Sequence, residues 1–102
     1  MQSIIQKKLP QIADLMRKHH IIRAYLFGSV LTDKFNRKSD IDFLVSIDET
    51  LLPEQQGDHL LTLWDELEIL THRKVDLLTE RSLTNPYLIQ SINDSRLIIY
   101  ER

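Results

Sequence analysis

The chain reads as a small α/β protein of the α+β kind, a short mixed β-sheet packed by helices. Three observations predict it. Segments with helical apolar spacing alternate with short apolar runs of strand length, and turn-forming residues separate the two kinds. The length, 102 residues with 42% apolar, suits a single domain over 1–102 with one core. The order of segments, α-β-α-β-α-β-α with a last edge strand, places helices against a short sheet.

Residues 3–19 set Ile4, Ile5, Leu9, Ile12, Leu15 and Met16 on one broad helical arc. Pro10 interrupts it, so the segment is either a kinked helix or a turn followed by a helix starting near Pro10. Residues 23–27 are aromatic and apolar and read as a buried strand, which Gly28-Ser29 ends. Residues 30–35 look like one or two helical turns, and Asn36-Arg37-Lys38-Ser39 is loop chemistry. Residues 41–47 are a second strand with Ile41, Phe43, Val45 and Ile47 towards the core. After a turn over 48–53, residues 55–70 carry Leu60, Leu63, Trp64, Leu67 and Leu70 in a stripe roughly 120° wide. Trp64 reads as core, while Leu61 and Ile69 fall off the stripe. Residues 74–78 are a third strand, 86–93 a short helix opened by Pro86, and 97–100 an edge strand.

Composition excludes several function classes. Thirteen basic residues against fifteen acidic ones give a net charge of −2, which argues against direct nucleic-acid binding. The absence of cysteine removes disulfides and thiolate metal sites and fits a reducing cytoplasm. No apolar run approaches the roughly 20 residues of a membrane span, and the N-terminus lacks the apolar stretch of a signal peptide. His19 and His20 read as surface positions, and His59 and His72 as residues that cap or flank a helix. Glycine is scarce: Gly28 and Gly57 are the only two. Gly57 reads as punctuation ahead of the Trp64 helix, and Gly28 needs a stronger reason.

Three features supply one. Gly28-Ser29, at a strand-to-helix junction, can bring backbone and a hydroxyl close to a phosphate. The same dipeptide also serves as an ordinary turn with an N-cap serine. Asp40-Ile41-Asp42 puts two carboxylates on one strand face, opposite Ile41 and Phe43. Desolvation and like-charge repulsion make such a pair unfavourable unless a hard cation such as Mg²⁺ or Mn²⁺ neutralises it. Asp76, an acid inside the apolar run Val75-Asp76-Leu77-Leu78, can stand beside them on an adjacent strand. A lone Asp paired with Lys74 is the plainer account of that residue. Three convergent carboxylates make a two-metal site, one ion activating a hydroxyl and the other binding a triphosphate.

Leu26-Phe27-Gly28-Ser29, ten further residues, and then Asp40-Ile41-Asp42-Phe43-Leu44-Val45 resembles the signature of the nucleotidyltransferase superfamily that includes polymerase beta, in its minimal form. The resemblance is strongest over residues 26–80, and Asp76 falls where that family carries a third carboxylate. It implies transfer of a nucleoside monophosphate, AMP from ATP above all, to an acceptor hydroxyl with release of pyrophosphate. Gly28 and Ser29 would hold the triphosphate, Asp40 and Asp42 both metal ions, and Asp76 the catalytic ion and the acceptor's proton. Where many relatives follow Gly-Ser with an arginine-containing turn, this chain has Val30-Leu31-Thr32-Asp33, a departure for which Arg37, Lys38 or Lys74 could compensate at the phosphates. Minimal members are commonly paired with a HEPN-domain protein, in the toxin–antitoxin version a ribonuclease silenced by AMP on a tyrosine.

Two other readings belong to different classes. A non-catalytic nucleotide-binding module could neutralise its partner by occlusion, with Leu61 and Ile69 in the interface. A small-molecule nucleotidyltransferase could modify an antibiotic, although 102 residues leave no acceptor-binding domain.

Overall fold

A computed structural model describes residues 3–102, apart from the side chain of Ile4. The expected place of Ile4 on the first helical arc, and of Met1 and Gln2 in the N-terminal segment, lies outside the described residues. Four strands form one mixed sheet in the order β3-β2-β1-β4. The strands are β1 (Ile21–Phe27), β2 (Ile41–Ile47), β3 (Val75–Thr79) and β4 (Leu97–Glu101). β1 lies antiparallel to both β2 and β4, and β2 and β3 run parallel through the crossover helix α2 (Pro53–Thr71). This is the mixed sheet with helices that the sequence predicts.

Helices α1 (Ser3–Lys18) and α2 cover one sheet face. Ile5, Ile12 and Met16 of α1 and Leu63 and Leu67 of α2 meet Ala24, Leu26, Phe43 and Val45, all fully buried. α1 runs through Pro10 without a break. Pro10 and Gln6, whose carbonyl loses its helical donor there, are both exposed, so water can serve that carbonyl. On the second face, Leu44 of β2 and Ile92 of α3 (Pro86–Ser95) are both buried, and the Arg96 guanidinium stacks on the Tyr25 ring at 4.4 Å. Among the described residues no helix is long and apolar enough to cross a membrane.

Several expectations from the sequence are corrected. Residues after β1 form only a four-residue 3₁₀ turn, Gly28–Leu31, before the chain opens into a loop. Gly57 lies inside α2 rather than ahead of it. Trp64 is 37% exposed, not core, because α2 ends its stripe at the sheet's edge, where the indole N–H donates to the Val75 carbonyl at 2.6 Å. His19 is buried, with its Nε2 2.7 Å from Glu66 Oε1 and its Nδ1 3.0 Å from His59 Nδ1. His59 thus faces α1 from within α2. His72 does close α2, in the left-handed conformation (φ 56°).

Candidate active site

β2 is the central strand of the site. Its first turns pair with β1 on one side and β3 on the other, so Asp42 has Phe27 opposite it on β1 and Asp76 in register on β3. Period-two alternation explains the rest: Ile41, Phe43 and Val45 go into the core, and Asp42 goes to the other face, half-buried. The pairing expected between Asp42 and Asp76 is therefore present: the two stand in register on adjacent parallel strands, close enough for their carboxyls to interact. Burial, first, and then the neighbouring Asp76 carboxyl and the charge of Asp40 push the Asp42 carboxyl up to about 6.

Asp40 precedes β2 and acts on Asp42 through its charge. Among the described residues no three carboxylates or histidines are gathered closely enough to hold an ion unaided. The convergence expected of all three acids is thus close for Asp42 and Asp76 and looser for Asp40. Lys74, expected to share a strand face with Asp76, lies just before β3; its carbonyl accepts from Ile41 N–H at 3.0 Å, and its side chain is exposed.

Gly28 has a reason beyond ligand approach. Its φ is +79°, and a Cβ there would overlap Asp42 Oδ2 and lie 3.3 Å from Asp42 Cγ. Glycine leaves the space in which the Asp42 carboxylate stands. Ser29 is half-exposed in the 3₁₀ turn, where its carbonyl accepts from both the N–H and the hydroxyl of Thr32 at 2.9 Å. Val30 is fully buried beneath them, which explains an apolar residue at that place.

Sequence reasoning missed the residues that hold these acids. The Arg73 guanidinium donates to the carbonyls of Asn36 (2.8 Å) and Ser39 (3.0 Å) and lies 4.1 Å from the Phe35 ring centre, clamping the loop that leads into Asp40. Glu68 Oε2 accepts from Val75 N–H at 2.9 Å while Trp64 donates to the Val75 carbonyl, so α2 satisfies both outward backbone groups of the residue before Asp76. Only the loop's Asn and Ser were signals in the sequence: Asn36 Oδ1 accepts from Lys38 N–H and Ser39 Oγ from Asn36 N–H. A cavity of about 400 Å³ with a mixed lining lies at the far end of the sheet, bordered by Arg23, Ser46, Ile47, Leu60, Glu80 and Arg81, away from Asp40, Asp42 and Asp76.

Comparison with known proteins places the chain in a family. Residues 10–102 match the family described as polymerase beta, nucleotidyltransferase. Two candidate protein adenylyltransferases of Methanocaldococcus jannaschii are 34% and 33% identical, the alignments covering 91% of this chain and 99% of each relative. Among solved structures, a toxin–antitoxin complex with AMP-PNP superposes with a TM-score of 0.72 at 26% identity, over 92% of this chain and 73% of that one. A minimal nucleotidyltransferase gives 0.68 at 26%, over 91% and 90%. The fold also matches, with a TM-score of 0.61 at 24% identity over 95% of this chain and 72% of that one, a structure of a tri-AMPylated Shewanella oneidensis HEPN toxin with its MNT antitoxin. The chain belongs to the polymerase beta nucleotidyltransferase family.

Proposed function

We propose that this chain is a Mg²⁺-dependent adenylyltransferase, with Mn²⁺ as an alternative ion. In this reading it moves AMP from ATP onto a hydroxyl of a HEPN-domain ribonuclease in the cytoplasm, acting as that protein's antitoxin. The observation that carries the reading is the in-register Asp42–Asp76 pair, with Asp40 beside it and Gly28 making room for it. Oxygen-only donors of like charge fit a hard divalent cation, and burial first and the neighbouring acids second raise the Asp42 carboxyl, both being costs that such an ion offsets. Asp40, Asp42 and Asp76 would hold up to two ions, which supply charge stabilisation to the α-phosphate and acidify the acceptor hydroxyl.

The chain's own residues do the remaining work. Asp76, on the edge strand β3 and exposed, accepts the acceptor's proton while the acceptor oxygen bonds to the α-phosphorus. The bond from that phosphorus to the β-phosphate's bridging oxygen breaks, and pyrophosphate leaves. The Gly28 backbone and the Ser29 hydroxyl hold the triphosphate. Arg37 and Lys38, on the loop that Arg73 clamps, and Lys74 have no ion pair among the described residues and replace the cation that the Val30-Leu31-Thr32-Asp33 turn lacks.

The names of the M. jannaschii relatives and the AMP-PNP-bound antitoxin complex support an adenylyl donor and a protein acceptor. The test is incubation with a neighbouring HEPN-domain protein, Mg²⁺ and ATP labelled on either the α- or the γ-phosphate. The reading expects α-label on the partner and γ-label in pyrophosphate. Transfer of γ-label, or none of either with any nucleoside triphosphate, counts against it.

A further inference from the structure

α2 leaves one long face uncovered beside the edge strand β3. Gly57, Leu61 and Trp64 follow one another along it, with Leu61 68% exposed and Trp64 37%. Together with Leu60 and Leu77 they line a groove of about 290 Å³. A Cβ at Gly57 would meet nothing within 4 Å. A glycine inside a helix weakens it relative to alanine, and no packing contact accounts for this one. Its effect is to leave a notch in the groove wall.

The groove has a charged border. At about 100° per residue, Glu54, Asp58 and Asp65 share the next strip of α2, immediately beyond Leu61. All three are exposed and none has an ion pair among the described residues. α2 contains no lysine or arginine. An apolar notch bordered by three free carboxylates complements a basic surface with one protruding apolar side chain. It opposes a symmetric contact with a second copy, which would set the two acidic strips against each other.

The location relates the groove to chemistry. Trp64, its most substantial wall, donates to the carbonyl of Val75, the residue before Asp76. A protein lying in the groove runs along edge strand β3, whose opposite face carries the proposed proton acceptor Asp76, so it reaches that acid around the sheet's edge. We propose that the Gly57–Leu61–Trp64 groove is the docking site for the acceptor protein, taking a basic helix whose apolar side chain fills the Gly57 notch. This inference rests on the adenylyltransferase reading only in that the docked protein is the one that is modified.

The experiment measures complex formation and transfer separately, with the full chain and a purified neighbouring HEPN-domain protein. Gly57→Leu, which fills the notch, and Leu61→Asp are each expected to raise both the Kd for that protein and its KM at least tenfold. ATP binding and kcat at saturating partner should match wild type. The double variant Asp58→Asn with Asp65→Asn, nearly isosteric at exposed positions, should flatten the fall of affinity with salt. Wild-type Kd and KM in all three variants would overturn the docking site, as would a wild-type chain that forms no complex. Self-association of the wild type that Leu61→Asp abolishes would also overturn it. A wild-type complex sensitive to these variants but without nucleotide transfer would instead overturn the adenylyltransferase reading and leave the docking site standing.

Discussion

Asp42 and Asp48 stand at the two ends of β2, and the protein treats them in opposite ways. At the start of the strand, burial and two neighbouring acids push Asp42 up to about 6. Just past its end, the Thr50 hydroxyl and backbone N–H donate to Asp48 Oδ1 at 2.6 and 2.9 Å, and Arg102 Nη1 reaches Oδ2 at 3.1 Å. These contacts, the Thr50 hydroxyl foremost, bring Asp48 down to about 2. The far end also pairs Arg23 Nε with Glu80 Oε1 at 3.1 Å. One end of the sheet is neutralised from within; the other keeps like charges together. That is why the acidic end, rather than the cavity opposite, is where catalysis is expected.

The contrast can be broken most severely at Gly28. Gly28→Val forces a β-branched residue into φ +79° and drives its Cβ into the Asp42 carboxylate. It should lower transfer about 100-fold and stability by about 2 kcal/mol, read by labelled-ATP assay and urea unfolding. Retained transfer would show that Gly28 does not set the Asp42 position.

Asp42→Asn should sharpen the comparison through stability alone. Between roughly pH 4 and 6 the unfolded wild type releases this proton while the folded chain keeps it, so stability falls across that window and stays lower above it. Without divalent cation the variant should be about 1–2 kcal/mol more stable than wild type at pH 7.5, after allowance for partial solvation. Mg²⁺ should raise the Tm of wild type and leave the variant unmoved. Asp48 has the opposite sign: its stabilisation is present above the ordinary carboxylate value near 4 and is lost as pH falls towards about 2.

Smaller effects follow at the remaining positions. Gly57→Ala meets open space in a helix and should stabilise the fold by about 0.5–1 kcal/mol, the reverse of Gly28. Thr50→Ala should move the Asp48 titration, followed by NMR, up towards the usual carboxylate range with a slight fall in Tm. An unmoved Asp48 would mean that the backbone N–H of residue 50 and Arg102 suffice to hold it down.

Much of this arrangement was legible in the residues. Strand alternation in Ile41-Asp42-Phe43 placed Asp42 away from the core, and the lone acid in Val75-Asp76-Leu77 marked its partner. What the pattern could not supply was where each helix meets the sheet's edge. An amphipathic stripe defines a direction around a helix but not which end of the stripe overhangs, so Trp64 read as core although it caps β3 from outside. The buried His19 had a usable signal: it continues the spacing of Ile5, Leu9, Ile12 and Met16 by one more turn, one residue past the end of α1. Arg73 had none, because its work is done on carbonyls of a loop 34 and 37 residues away.

The central claim is that the Asp42–Asp76 pair transfers adenylate to a protein. Intact-mass measurement of a neighbouring HEPN-domain protein, incubated with ATP, Mg²⁺ and either wild type, Asp42→Asn or Asp76→Asn, tests it most directly. The expected result is a mass gain of one or more adenylyl groups with wild type and a loss of at least about 100-fold in rate with each variant. An unmodified partner with wild type, or equal modification by the variants, would contradict the claim.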